Sequence, residues 1–200
     1  MFQTNGEPWK EKLWKELRSL KPEEVCVRAA VRYEQAFYSV LFMDREYRVY
    51  PEEVRVKGDF LAADPEFRLL LITYLVSAKD LLPDGTWLSE KSLKGGSIFF
   101  QGPHRLPGGP ILERFGRNPE MFLYVGEALG GKRINYGDAA LEFRALPRVP
   151  LACVLWAADE EFPAGVNFLF DPTIESHFPL DVILALVHSV VRRLVESEGN

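Results

Sequence analysis

The segment 151–171 constrains the fold more than any other part of the chain, because it combines two apolar runs with an acidic connection. The runs cover residues 151–158 and 166–170, and proline and glycine lie at their boundaries. Three consecutive acids begin the connection, namely Asp159, Glu160 and Glu161. Short apolar runs with such boundaries fit core strands better than helices. The segment is therefore predicted to be a buried β-hairpin, and Trp156, which has apolar residues on both sides, is expected to be buried.

Other strands are also predicted in hairpins, with helices between and outside them. Residues 36–43 form an apolar run rich in strand formers, and a polar connection leads from it to residues 47–50. Helical periodicity or capping signals begin near residues 9, 22, 65, 119 and 179, and Asp64 and Asn118 are the N-cap residues predicted for two of these helices. Strands that cluster as hairpins favour an α+β fold over a doubly wound parallel one. We expect a mainly antiparallel sheet packed with amphipathic helices.

The length of the chain predicts one domain. A single hydrophobic core typically serves about 100 to 200 residues, and this chain has 200. We expect the domain to span residues 1–200, with a helical pair at 7–33 and the sheet and remaining helices at 35–195.

Composition argues against several classes of protein. The net charge is -5, and the 24 basic residues are scattered among 29 acids, so nucleic acid is not an expected partner. No apolar run approaches the roughly 20 residues that cross a bilayer, and the first residues are polar, so we expect no membrane segment and a cytoplasmic location. Cys26 and Cys153 are too few for a thiolate-only zinc or iron–sulfur site and are expected to be buried free thiols.

The segment 81–110 is the longest stretch without a strong helix or strand pattern. It is rich in glycine and proline but also contains aromatic and aliphatic residues, which indicates an ordered loop. Ordered loops of this length are usually functional. We interpret this loop and the sheet as a pocket. Its candidate cofactor-binding residues are Phe100, His104, Arg105 and Trp156, with His104 as a candidate axial ligand.

Carboxylates near the central hairpin form a second candidate site. They are Asp159, Glu160, Glu161 and Asp171. If they converge, they could bind Mg²⁺ or Ca²⁺ through oxygen or act as acid and base. The alternative is a solvated turn with an acid that accepts backbone hydrogen bonds. His177 would share a helix face with Asp181 if one helix ran through Pro179, and the alternative for Asp181 is a capping role.

Several strings in the chain resemble one family of domains. They are GGSIFFQGPHRLP at 95–107, Phe115-Gly116 with Leu129-Gly130-Gly131, Tyr136-Gly137-Asp138-Ala139, and VPLACVLWAADEEFPAGVNFLFD followed by His177, Pro179 and Asp181. The family comprises uncharacterised domains of anaerobic bacteria and archaea, found alone or fused behind a four-cysteine iron–sulfur domain like that of corrinoid iron–sulfur proteins. The similarity covers about residues 22–195. It transfers no activity, but it implies a link to corrinoid, iron–sulfur or one-carbon metabolism through a partner protein.

Three functions remain open on these grounds. The first is an accessory domain that binds a small molecule or cofactor, including a tetrapyrrole or corrinoid-like one. The second is a metal-assisted enzyme that uses the carboxylates of 159–171. The third is a protein-interaction module, including a homodimer. The first two depend on whether His104 and the acidic turn face one cavity, which the spacing of residues cannot show.

Overall fold

The structure is a computed structural model that describes residues 8–158 and 160–197. Its helices are α1 (Pro8–Ser19), α2 (Pro22–Ala29), α3 (Pro65–Ser77), α4 (Gly96–Phe99), α5 (Gly109–Phe115), α6 (Pro119–Ala128), α7 (Ile174–His177) and α8 (Leu180–Glu196). Its strands are β1 (Arg32–Glu34), β2 (Phe37–Phe42), β3 (Arg45–Tyr50), β4 (Arg55–Lys57), β5 (Leu88–Ser89), β6 (Lys132–Arg133), β7 (Ala139–Leu146), β8 (Val149–Trp156) and β9 (Gly165–Phe170). Short 3-10 helices cover Phe60–Ala63, Glu90–Ser92 and Gly102–His104.

The strands of the described residues form two antiparallel sheets, which confirms the predicted α+β fold. One sheet has the strand order β1-β2-β3-β4, and the other has the order β5-β9-β8-β7-β6. The sheets adjoin where the N–H of Met43 donates to the carbonyl of Ala145, at 3.0 Å. Buried side chains from both sheets and from the helices form one continuous core.

Helix α3 packs on the inner face of the four-stranded sheet. Its start was predicted from Asp64, and the side chain of Asp64 indeed accepts the N–H of Glu66 at 2.7 Å and that of Phe67 at 3.4 Å. The ring of Phe67 lies edge-on to Phe42 and Tyr47, with centroids 5.0 and 4.6 Å away. Nearly the whole middle of α3 is buried. A helix that is apolar all round is typical of a position inside the core.

The predicted central hairpin is present, but only its first strand, β8, is buried as expected, whereas β9 is buried only at Phe168 and Phe170. β8 lies between β7 and β9, and seven of its eight residues are buried. The exception is Trp156, which is 50% exposed, so the expectation that it would be buried is wrong. Trp156 ends the strand opposite Gly165, and its indole lies 3.5 Å from the position that a Cβ would take at Gly137. Because glycines surround the indole, few side chains cover it.

A buried hydroxyl joins α2, α3 and the β7–β8 turn. The hydroxyl of Tyr74 donates to the carbonyl of Ala29 at 2.7 Å and accepts the N–H of Arg148 at 3.1 Å. The guanidinium of Arg148 donates to the carbonyls of Val27 and Leu81, at 3.0 and 3.2 Å. These bonds satisfy backbone groups at a junction where no helix or strand ladder could do so.

His177 lies in the same region and is only 2% exposed. Its Nδ1 accepts the backbone N–H of Lys79 at 3.2 Å, and its Nε2 has no hydrogen-bond partner among the described residues. Burial is the main cause that lowers the pKa of His177, and the positive charge of Arg148 adds to it. The imidazole is thus held neutral inside the protein.

His177 and Asp181 do not share one helix face, because no single helix runs through Pro179. α7 ends at His177, and α8 begins at Leu180. Phe178 between them is extended, with φ -137° and ψ 142°. A residue before proline avoids the helical region for steric reasons, and Pro179 therefore separates the two helices. Asp181 lies in the first turn of α8, and the N-cap position is Pro179, which forms no side-chain cap.

Replacing Tyr74 tests the buried junction. Tyr74→Phe keeps the ring but leaves the carbonyl of Ala29 and the N–H of Arg148 without their partner, so we expect a loss of about 1–3 kcal/mol in the free energy of unfolding. Denaturant titration measures the loss. Tyr136→Phe, at a tyrosine that is half-exposed, is the control and should change stability by less than about 0.5 kcal/mol. Equal effects of the two changes would contradict the role of Tyr74.

The burial of His177 predicts a dependence of stability on pH. Because its folded pKa is lowered, the unfolded chain binds more protons below the ordinary value of 6.5, and the free energy of unfolding falls as the pH drops through that value. His177→Gln should therefore flatten the slope of stability against pH between about pH 5 and pH 7.

Thermal melts over this pH range measure that slope. His104→Gln, which removes an exposed imidazole in place of a buried one, is the matched control. If the two variants gave the same slope as the unchanged protein, His177 would not be the group that titrates.

Candidate ligand-binding cavity

The loop predicted to be ordered is divided into short elements that pack on the large sheet. β5, α4, two 3-10 helices and the first turn of α5 lie within residues 88–110. Leu93 and Phe100 anchor them in the core. The chain turns tightly at Gly96, where a Cβ would lie 2.0 Å from the carbonyl oxygen of Glu90, so a larger residue would displace this turn. The loop is therefore held by apolar burial and by close backbone packing.

A cavity of about 790 Å³ lies between this loop and β9. Its apolar lining comes from Phe100, Leu106 and Leu112 of the loop and helix side and from Val166 and Phe168 of the strand. Small-molecule sites typically have volumes of about 300–1,000 Å³ and mostly apolar walls. The volume lies within this range, whereas the lining is about equally polar and apolar.

Polar groups occupy defined parts of the same cavity. Lys91 and Arg105 contribute positive charges, Glu90 contributes the negative one, and Gln101 and Asn167 contribute carboxamides. The carboxamide nitrogen of Gln101 already donates to the carbonyl of Ser97, which leaves its oxygen as an acceptor. Polar residues make up about half of the lining, and polar groups at defined positions are what fixes the orientation of a ligand in such sites.

The edge of β9 adds backbone groups to the cavity wall. β9 pairs with β8 along its whole length, but it pairs with β5 only at Leu169 and Phe170. Residues 166–168 line the cavity and have no strand partner on that side within the described structure. An unpaired strand edge presents N–H and C=O groups that a ligand can use.

Two adjacent glycines of the loop, Gly108 and Gly109, differ in the space around them. A Cβ at Gly108 would lie 2.4 Å from Cγ1 of Val166, so only glycine lets the loop approach β9 so closely. A Cβ at Gly109, by contrast, meets no atom within 4 Å. Gly109 also lines the cavity, which means that a side chain placed there would enter open space.

The cavity includes two of the four predicted cofactor-binding residues. Phe100 and Arg105 line it, whereas His104 and Trp156 do not. The imidazole of His104 is exposed and stacks on the ring of Phe99, with a centroid distance of 4.7 Å and an interplanar angle of 5°. Trp156 lies at the end of β8. The structure thus separates the predicted axial ligand from the cavity.

The predicted metal-binding carboxylates lie at opposite ends of β9. Glu160 and Glu161 precede the strand and Asp171 follows it, and a strand of six residues is roughly 20 Å long. Asp159 lies outside the described residues. In the part of the chain that is described, no group of three or more histidines, cysteines and acids could hold a metal ion. The sequence placed these acids near one hairpin, but the described ones do not converge.

Asp171 has a structural role in a turn. Its carboxylate accepts the N–H of Gly85 at 2.8 Å and both the N–H and the hydroxyl of Thr173, at 3.0 and 2.6 Å. Burial alone would raise its pKa, but these bonds outweigh burial and lower the pKa below its ordinary value. The carboxylate therefore stays ionised and joins the start of the long loop to the end of β9.

Sequence reasoning missed Lys91 and Asn167. Lys91 lies in a 3-10 turn, and Asn167 is an exposed residue within β9. Neither lies in a motif, and nothing in their sequence neighbourhood distinguishes them from ordinary surface residues. They reach one cavity only because the loop folds back onto the edge of the sheet.

The remaining expectations concern the cysteines and the membrane. Cys26 and Cys153 are free thiols, as predicted, and burial raises the pKa of each; Cys153 is fully enclosed, whereas Cys26 is partly exposed. Among the described residues, no helix is both long and apolar enough to cross a bilayer.

The exposure of Trp156 predicts a modest role in stability. Trp156→Ala should cost about 1–2 kcal/mol, because only part of the side chain leaves water on folding. Phe143→Ala, on the neighbouring strand, removes a fully buried ring and should cost about 3–5 kcal/mol. Denaturant titration of both variants makes the comparison. Equal losses of stability in the two variants would mean that the folded protein buries the indole of Trp156.

The comparisons with known proteins identify a family but no function. A family model described as a domain of unknown function (DUF3786) matches residues 21–193. No curated protein and no solved structure matches the chain. The matched region contains both sheets, the long loop and most of α8. The chain therefore belongs to the DUF3786 family of domains of unknown function.

Proposed function

We propose that this chain is a small-molecule-binding domain whose ligand lies in the cavity between the long loop and β9. The observation that carries the proposal is the cavity itself, with its volume of about 790 Å³ and its lining of apolar and charged residues. The cavity is partly open to solvent, and its volume lies in the range of about 300–1,000 Å³ that small-molecule sites occupy. An open space of this size beside an unpaired strand edge thus favours a binding site.

The loop that forms one wall suits this function. Leu93 and Phe100 hold it in the core, so the wall is formed before a ligand arrives. A preformed wall lowers the entropy that binding costs. Binding residues are also commonly displayed on loops that a rigid scaffold positions, and here β8 and β9 are that scaffold.

The accessory role in corrinoid, iron–sulfur or one-carbon metabolism is a narrower form of the same proposal. It rests on the family resemblance, and on Phe100 and Arg105 as residues of the cavity wall. For His104 to act as an axial ligand, its ring would have to reach the cavity, which it does not line. Titration with haem and with a cobalamin, followed by ultraviolet-visible spectroscopy, tests this form, and unchanged spectra would remove tetrapyrroles as ligands.

Filling the cavity tests the general proposal. Gly109→Trp places a large side chain in the open space that faces Gly109, so we expect it to abolish binding while the fold is kept. The probe is phenylnaphthylamine, a neutral aromatic molecule whose fluorescence rises in apolar surroundings. Fluorescence titration measures its affinity, and circular dichroism checks the fold.

The control adds the same side chain to the same loop outside the cavity. Ile98→Trp is suitable because Ile98 is 81% exposed and does not line the cavity. It should bind the probe as the unchanged protein does. If the unchanged protein did not bind the probe, or if Gly109→Trp bound it equally well, the cavity would not be the binding site.

A further inference from the structure

The charges of the cavity point to a class of ligand. The chain as a whole has a net charge of -5. The cavity lining instead contains two cations, Lys91 and Arg105, against one acid, Glu90, which gives a net charge of +1 from these three residues. A concave site whose sign differs from that of the protein selects ligands by charge.

The two cations are not neutralised inside the protein. Within the described chain, neither Lys91 nor Arg105 has an acidic oxygen within 4.0 Å of its charged nitrogens. Other arginines differ in this respect; Arg193, for example, pairs with Asp44 and Asp59, and Arg192 pairs with Asp64. Lys91 and Arg105 can therefore pair with a ligand without breaking an internal ion pair.

The two cations lie in or directly after short 3-10 helices, and both residues are exposed. Lys91 lies in the 3-10 helix Glu90–Ser92, which directly follows β5. Arg105 follows the 3-10 helix Gly102–His104, and its N–H donates to the carbonyl of Gly102 at 3.2 Å. Asn167 lines the cavity from β9 and carries further donors. Donors thus come from both the loop side and the strand side.

We propose that the ligand is an organic anion, with a carboxylate or phosphate group held by Lys91 and Arg105 and an apolar body against Phe100, Leu106 and Phe168. This inference rests on the proposed function and adds the chemical class of the ligand. An arginine guanidinium binds carboxylate and phosphate in a two-pronged manner, and a lysine acts as a point charge on the same groups. The apolar wall gives the remainder of the molecule a place away from water.

A matched pair of probes separates the charge from the apolar body. Phenylnaphthylamine and anilinonaphthalene sulfonate share their aromatic body, and only the second is an anion. We expect the unchanged protein to bind the anionic probe about tenfold or more tighter, since a charge-assisted hydrogen bond contributes enough free energy for such a factor. Raising the salt concentration should lower the affinity for the anionic probe and leave the affinity for the neutral probe unchanged.

Variants assign the effect to the two cations. Lys91→Gln with Arg105→Gln should remove the advantage of the anionic probe and change the affinity of the neutral probe less than about threefold. Arg117→Gln is the control, because Arg117 is exposed, forms no ion pair among the described residues and does not line the cavity. It should leave the preference for the anion intact. If the variant with both changes does not fold, Lys91→Gln and Arg105→Gln are measured separately, and circular dichroism checks the fold of each.

Competition then identifies the anionic group. Decanoate is compared with decanol, and naphthyl phosphate with naphthol, for displacement of the neutral probe. The group that the cavity recognises is the one whose anion displaces the probe better than the matching alcohol does. This difference should be present with Lys91 and Arg105 and absent in the double variant.

The outcomes distinguish this inference from the proposed function. If both probes bind with equal affinity and Gly109→Trp blocks both, the cavity binds small molecules but the anionic class is wrong. If the double variant keeps the preference for the anion, Lys91 and Arg105 are not its ligands, and the inference falls. If neither probe binds the unchanged protein, the proposed function and the inference fall together.

Discussion

The burial of β8 is the constraint on which the rest of the structure depends. A strand with both faces inside the core needs a neighbour on each edge and apolar layers above and below. β7 and β9 supply the edges, and the helices with the small sheet supply the layers. Every other element is therefore arranged around residues 149–155, and the exposed position of Trp156 marks the point where this arrangement ends.

β8 has a neighbouring strand along both edges, whereas one edge of β9 is largely open. The short strand β5 covers only Leu169 and Phe170, and the long loop bends away from the sheet before it returns at Gly108. The space between them is the cavity. The cavity thus arises where sheet pairing stops, and the backbone groups of a sheet edge are unpaired there.

Buried polar groups hold the elements around the core in register. The Tyr74 hydroxyl, the Arg148 guanidinium and the Asp171 carboxylate each satisfy backbone groups that lie far apart in sequence. Removing one partner of such a bond costs more than the bond itself contributes, because the other partner remains buried and unpaired. These residues are therefore explained by the fold, and none of them is needed to explain a ligand.

The sequence alone determined the local structure. The apolar runs around residues 159–165 predicted the central hairpin, Asp64 and Asn118 predicted helix starts that their side chains do cap, and the Cys26 and Cys153 thiols were expected to be free. Patterns of this kind succeed because strand alternation and helix capping depend on residues close together in the chain.

Only the tertiary structure decided the site. Phe100 and Arg105 were chosen from the loop, but their meeting with Lys91 and Asn167, the stacking of His104 on Phe99 and the separation of Asp171 from Glu160 all depend on how the loop folds back on β9. Likewise, the apolar run that contains Trp156 could not reveal that the sheet ends there. Convergence and exposure are set by contacts between residues distant in sequence, and local spacing carries no information about them.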